Sequence, residues 1–168
     1  MRSRWRRLFG YAGSALLLVA AATSAPASAA PCGTGLNPIL VTATTVAFGL
    51  YSPSAAVGTT SNGTVTVACT VILGATLPSF TVALSAGTNG QFAPRQLNFG
   101  SARLNYNLYT SASYATVWGD GGGSTATQSY ASSQALASTA FTAYGVIPPS
   151  QFVAAGLYSD EISVTVTY

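Results

Sequence analysis

The chain has 168 residues, of which 49% are hydrophobic and only 5% charged, with no histidine. Its six basic residues are all arginines and set a formal net charge of +3 against three acids. With neither histidine nor lysine, a Ser-His-Asp triad or a Ser-Lys pair cannot be built.

Arg2, Arg4, Arg6 and Arg7 open the chain, Leu8 to Ala22 is apolar around Leu16, Leu17, Leu18 and Val19, and Ala27-Ser28-Ala29 is a run of small residues. This tripartite pattern predicts a secretory signal peptide over residues 1–29, lying outside the fold. Cleavage after Ala29 is preferred, because a cut one residue later leaves Pro31 at the new amino terminus. A membrane anchor is the rival reading, but the apolar run is short for a bilayer and no charged stop-transfer segment follows. Losing the leader leaves Arg95 and Arg103 against Asp120, Asp160 and Glu161, a net charge of −1. No basic patch remains to displace counterions from phosphate, which excludes a nucleic-acid partner.

Residues 30–168 have the length of one domain. They are rich in β-branched and aromatic residues, which suits strands. Cys32 and Cys69 form an even pair in an oxidising compartment, the pattern of a disulfide. Closing that loop stabilises a fold by roughly 3–4 kcal/mol in the chain-entropy view. Two thiols without histidine are too few for zinc, and no cofactor is expected.

In chain order, Val41 to Phe48 reads as a strand ending at Gly49. Tyr51-Ser52-Pro53-Ser54 reads as a turn and Ser61-Asn62-Gly63 as a stronger one. Thr64 to Leu73 alternates, as does the run from Pro78 through Phe80, Val82 and Leu84 before Gly87-Thr88-Asn89-Gly90. Leu104, Tyr106 and Leu108 share one face of the next strand, and Tyr114 to Trp118 reads as a short extension. Gly119 to Ser124 is a loop. Ser129 to Ala137 is the one place for a helix. Ala137 to Ile147 is a strand halted by Pro148-Pro149, Gln151 to Tyr158 a connector, and Asp160 to Tyr168 the last strand. Strands separated by Gly/Pro-rich turns predict an all-β antiparallel sandwich. Ile162, Val164, Val166 and Tyr168 alternate with Ser163, Thr165 and Thr167, so a core-type strand occupies the very end of the sequence.

Several segments then line up in order: Phe48-Gly49-Leu50-Tyr51, Phe92-Ala93-Pro94-Arg95, Leu104-Asn105-Tyr106-Asn107-Leu108-Tyr109, Val117-Trp118-Gly119-Asp120-Gly121, Tyr144-Gly145-Val146-Ile147-Pro148, Gln151, Gly156-Leu157-Tyr158-Ser159-Asp160 and the closing Val-Thr-Val-Thr-Tyr. With the cysteine pair, this series resembles the spore coat protein U domain family, which includes pilus subunits of the archaic chaperone-usher pathway. The resemblance implies an incomplete immunoglobulin-like antiparallel β-sandwich lacking its final strand. It further implies a periplasmic chaperone that lends a strand, a neighbouring fibre subunit that later replaces it, and an outer-membrane usher that drives assembly. The product is a pilus or a coat, reached by export through the periplasm to the cell surface. Ile162, Val164, Val166 and Tyr168 are then the expected lining of an acceptor groove.

Burying four or five apolar side chains of a donor gains roughly 6–15 kcal/mol as an upper bound. That is comparable to the whole net stability of a domain, about 5–15 kcal/mol. The sequence departs from a self-polymerising subunit in one respect: only Ala30 and Pro31 precede Cys32 after cleavage at Ala29, and Thr23 to Ala29 holds no alternating large apolar residues. The expectation is a subunit that accepts a strand and has none to donate, such as a terminal or tip-like one.

Other chemistry is weak. Asp160 and Glu161 are neighbours and face opposite sides of a strand, so a carboxylate pair for glycoside hydrolysis is not expected; both read as a solvated junction. Asp120 in its glycine loop lacks the further acids of a calcium site and the lysine of a phosphate loop. Tyr106, Tyr109, Tyr114, Trp118 and Tyr144 could form a sugar platform, although Tyr106 and Trp118 read as core. Arg95 and Arg103 are expected to pair with acids or carbonyls. The competing function is an extracellular β-sandwich adhesin binding a surface or glycan.

Overall fold

The structure, a computed structural model, describes residues 2–12, 32, 39–69, 77–131 and 138–168. The described residues contain no helix and twelve strands. These are β1 (Arg2–Ala12), β2 (Ile39–Ala43), β3 (Ala47–Tyr51), β4 (Thr59–Cys69), β5 (Phe80–Leu84), β6 (Arg95–Phe99), β7 (Ala102–Tyr109), β8 (Val117–Trp118), β9 (Thr125–Ala126), β10 (Gln128–Tyr130), β11 (Ser138–Ile147) and β12 (Gly156–Thr167).

One layer runs β2-β4-β11-β7 and the other β10-β5-β12-β1-β3. Apart from the β1–β3 and β8–β9 contacts, every pairing is antiparallel. In immunoglobulin terms the first layer is A-B-E-D and the second contains C and F, as β5 and β12, with β1 in the place of G. β6 pairs with β7 and touches β12 at Ser159–Asn98, linking the layers at one side. The fold is the all-β antiparallel sandwich that the sequence predicts.

The period of two places Val65 and Val67 of β4, Phe80, Val82 and Leu84 of β5, and Leu104, Tyr106 and Leu108 of β7 in one core. Trp118 is fully enclosed and donates its indole N–H to the Val82 carbonyl at 2.9 Å. Phe141 packs edge-on to both Trp118 and Phe80.

Several local expectations are corrected. Val41 to Phe48 is two strands, because the chain leaves one layer after Ala43 and joins the other at Ala47. Thr44 marks that crossing: its backbone N–H donates to the Thr64 carbonyl and its hydroxyl accepts from the Thr64 N–H. Ser61-Asn62-Gly63 is no turn but the middle of β4, paired with Gly145, Tyr144 and Ala143. The strand expected over Thr64 to Leu73 spans 59–69, and residues 70–76 lie outside the described residues. β6 was not foreseen, and Tyr114 to Trp118 contributes only Val117 and Trp118 as strand. In the expected helical region Ser129 and Tyr130 belong to β10, while 132–137 lie outside the described residues.

At the amino terminus, residues 2–12, the front of the segment that the sequence reads as a leader, form β1 in the second layer of the full-length chain. The physical reason is the neighbourhood: β12 and β3 present backbone donors and acceptors across a gap one strand wide, and an extended segment satisfies both rows. The cleavage site at Ala27 to Ala29 and the stretch leading to Cys32 lie outside the described residues.

Candidate strand-acceptor groove

β12 is the central strand of its layer. Tyr158, Asp160, Ile162, Val164 and Val166 all turn inward and are buried, whereas their odd-numbered neighbours are partly exposed. On one side β12 meets β5, with Val164 to Thr167 opposite Leu84 to Thr81, and β6 at a single pair. On the other side its only strand partner among the described residues is β1. That ladder runs antiparallel from Arg2 opposite Thr165 to Ala12 opposite Gly156, with an irregularity between Arg6 and Leu8. β1 then meets β3 in parallel, Gly10 to Ala12 lying opposite Gly49 to Tyr51.

Between β12 and β3, therefore, is a seat for one strand, about 10 Å from wall to wall given a strand spacing near 4.8 Å. Its far end is fixed by a clasp. Tyr51 of β3 donates its hydroxyl hydrogen to the Pro148 carbonyl at 3.2 Å and accepts the Gln151 backbone N–H at 2.8 Å. The Gln151 side-chain amide in turn bonds the backbone N–H and C=O of Asn105 at 2.8 and 2.9 Å. One wall of the seat is thus tied to the connector that leads into the other.

Of the four residues expected to line a groove, Ile162, Val164 and Val166 come together on the inward face of β12. Tyr168 does not join them: it lies past the end of the strand and is 46% exposed. The same inward row holds a residue that the sequence reading placed in solvent. Asp160 is buried, with Oδ2 accepting the Tyr106 hydroxyl at 2.7 Å and Oδ1 accepting the backbone N–H of Thr88 at 2.7 Å and of Glu161 at 2.8 Å. Gly87 makes the approach possible, since a Cβ at that position would collide with the carboxylate. Extending the alternation two residues back from Ile162 would have turned Asp160 inward.

Burial, reinforced by the Asp160 charge, pushes the Tyr106 hydroxyl well above the usual phenol range. The folded state therefore holds that proton after an unfolded chain has begun to release it. This contribution is complete below about pH 10, the ordinary phenol value, and is lost as pH rises through the folded value. Tyr106→Phe leaves Asp160 Oδ2 without this donor and is expected to cost about 1–3 kcal/mol at pH 7. The stability gap between the two proteins, read by urea unfolding, narrows at pH 10.5 and above; a constant gap would contradict this account.

The second buried polar group is Arg95, at the start of β6. Its guanidinium donates to the Ser85 carbonyl at 2.8 and 3.1 Å, to the Trp118 carbonyl at 2.7 Å and to Asn107 Oδ1 at 2.7 Å, and it lies over the Phe92 ring. Desolvation lowers its pKa, opposed by the fields of Tyr106 and Asp160. Arg103 is bonded to the Gly100 and Ala102 carbonyls. Both arginines thus serve carbonyls, as one of the two expected pairings.

The remaining expected features sort plainly. Cys32 and Cys69 are disulfide-bonded with Cα atoms 5.8 Å apart. Asp120 closes its own loop by accepting the Gly122 N–H at 2.9 Å and the Thr125 hydroxyl at 3.1 Å, which holds its carboxyl below the usual range. Tyr106 and Trp118 are core, while Tyr109 and the exposed Tyr114 pack edge-on. The aromatic set is therefore divided: Tyr106 and Trp118 belong to the core, while the half-buried Tyr144, register partner of Tyr109, joins Tyr109 and Tyr114 outside it. Among the described residues no group of three or more His, Cys, Asp and Glu could hold a metal, and no helix is long and apolar enough to cross a membrane.

Residues 18–165 match the family model described as Spore Coat Protein U domain. The match begins beyond Ala12, so β1 lies outside it. No curated protein matches the chain.

Proposed function

The chain belongs to the Spore Coat Protein U domain family, and from that premise we propose that it is an exported structural subunit of a surface fibre or coat that is completed by a β-strand from another protein. The family is one of structural pilus and coat subunits, not of enzymes, and the disulfide fits an extracytoplasmic location. The observation that carries the reading is the far edge of β12. Among the described residues the family-matched region provides no strand to cover it, and the strand that does so comes from outside that region.

In this reading residues 1–29 are removed on export and the vacated seat takes a donor. Backbone bonds to β12 and β3 supply affinity, and alternate side chains of the donor meet the inward row of Ile162, Val164 and Val166. A periplasmic chaperone fills the seat first, a neighbouring subunit's extension fills it in the fibre, and an outer-membrane usher exchanges the two. The subunit serves as a terminal or tip-like member.

Co-purification from periplasm tests the pathway. The expected result is a one-to-one complex of this chain with an immunoglobulin-like chaperone. The complex is lost when Val164→Arg places a charge on the inward row, provided that the variant still forms the Cys32–Cys69 bond. Recovery of a stable, uncomplexed monomer would overturn the proposal.

A further inference from the structure

The outer face of the first layer carries a group of tyrosines that neither the core nor the acceptor seat uses. We propose that Tyr144, Tyr109 and Tyr114, with Asn62 beside them, form a binding platform for a neutral, extended oligosaccharide. The seat lies in the other layer, so the platform does not depend on the acceptor reading and stays open when a strand is taken up.

The sheet builds the row. Leu108 and Gly145 are buried register partners, so alternation turns their neighbours Tyr109 and Tyr144 outward, where both are half-buried. Asn62 of β4 partners Tyr144 on its other side and is exposed. Three adjacent strands thus align an amide and two phenol rings over about 10 Å, at a strand spacing near 4.8 Å. Tyr114 adds a third ring, its centroid 5.6 Å from that of Tyr109 at an interplanar angle of 79°. The two rings make a corner in which a pyranose lies on one face and meets the other ring as a wall.

Tyr114 is held in place against its own preference. Its φ is +54°, a left-handed conformation that costs a bulky residue free energy; such strain collects at ligand clamps. The loop that imposes it is tight. The Tyr114 N–H donates to the Ser111 carbonyl at 3.1 Å, the Thr110 N–H to the Thr116 carbonyl at 3.0 Å and the Gln128 amide to the Thr110 carbonyl at 3.0 Å. A platform fixed before binding loses little freedom on binding.

The chemistry of the row selects the ligand. Tyr51, Tyr106 and Tyr158 each donate their hydroxyl hydrogen within the chain. Among the described residues no hydrogen bond engages the hydroxyls of Tyr109, Tyr114 and Tyr144. These hydroxyls and the Asn62 amide set donors and acceptors beside apolar ring faces, which matches a sugar, with its C–H faces and its rim of hydroxyls. β4 and β11 carry no charged residue, and Arg103 of β7 is six residues from Tyr109 and bonded to backbone carbonyls. An anionic ligand finds no counter-charge there. A straight row favours an extended β-linked chain over a coiled one.

The test is calorimetric titration of the exported, disulfide-bonded protein, alone or with a strand-donating partner bound, with cellohexaose and with N-acetylchitohexaose. At least one of these glycans is expected to bind saturably. Tyr114→Gly and Tyr144→Ala each weaken that binding about tenfold, the upper scale of one aromatic contact. Glycine adopts a positive φ freely, so Tyr114→Gly melts at or near the temperature of the parent, which separates lost presentation from lost folding. Phe152→Ala removes an exposed ring elsewhere and leaves the affinity unchanged. Binding of neither glycan, unchanged affinity in either tyrosine variant, or an equal loss in Phe152→Ala overturns the proposal and leaves the acceptor reading intact. Tighter binding of a polyproline peptide than of either glycan also overturns it, and assigns the row to a peptide partner.

Discussion

Replacing both Cys32 and Cys69 by serine is expected to lower the unfolding free energy by about 4 kcal/mol, the chain-entropy value for a 37-residue separation. Cys69 ends β4 and is the register partner of Ile39, so the bridge holds the chain ahead of β2 against the β2–β4 pair. That pair forms one edge of its layer. A loss of this size is a large fraction of the roughly 5–15 kcal/mol that a domain has in total. In urea the midpoint falls and the slope rises somewhat, because the unfolded chain without its crosslink is less compact. Reductant reproduces the loss in the parent and leaves the serine variant unchanged. Coincident midpoints for the oxidised parent and the variant would remove the bridge from the list of forces that hold the sandwich together.

Arg95→Ala is the second large effect, expected at about 3–5 kcal/mol, the scale for removing one member of a buried charged network. The guanidinium joins three separate pieces of chain: the turn after β5 through Ser85, β7 through Asn107 and the end of β8 through Trp118. Truncation leaves the Ser85 and Trp118 carbonyls without these donors and opens a cavity. Arg95→Lys separates charge from geometry. One ammonium group cannot reproduce the planar fork that reaches all three acceptors, so lysine recovers only part of the loss. Chemical denaturation of the three proteins checks the order Arg, Lys, Ala; a lysine variant as stable as the parent would show that the fork geometry does not matter.

Strands with strong alternation were legible in the sequence: β5, β7, β11 and most of β12 follow from it. The disulfide followed from compartment and count. What misled was local chemistry overruled by distant pairing. Ser61-Asn62-Gly63 has the composition of a turn, yet β11 runs alongside it without interruption. The crossing between β2 and β3 carries no glycine or proline to announce it, since Thr44, Thr45 and Val46 are all β-branched. Arg95 and Asp160 hid β6 and the true start of β12, because a pattern that assigns charge to solvent cannot place two charged residues inside. The inward, buried row of Ile162, Val164 and Val166 was legible from period two alone. The second wall, β3, was not, because sequence gives no sign of which strand stands one strand-width away.

The seat beside β12 also has a mechanical meaning. A strand lying along β12 from Gly156 to Thr165 is held by bonds perpendicular to its axis. A pull along that axis loads these bonds together, in shear, whereas a pull across it opens them one after another like a zipper. For subunits joined end to end through such a strand, tension in the fibre acts along the ladder. The joint is then strongest in the direction in which a surface filament is stretched, and weakest in the direction from which a single strand is peeled away.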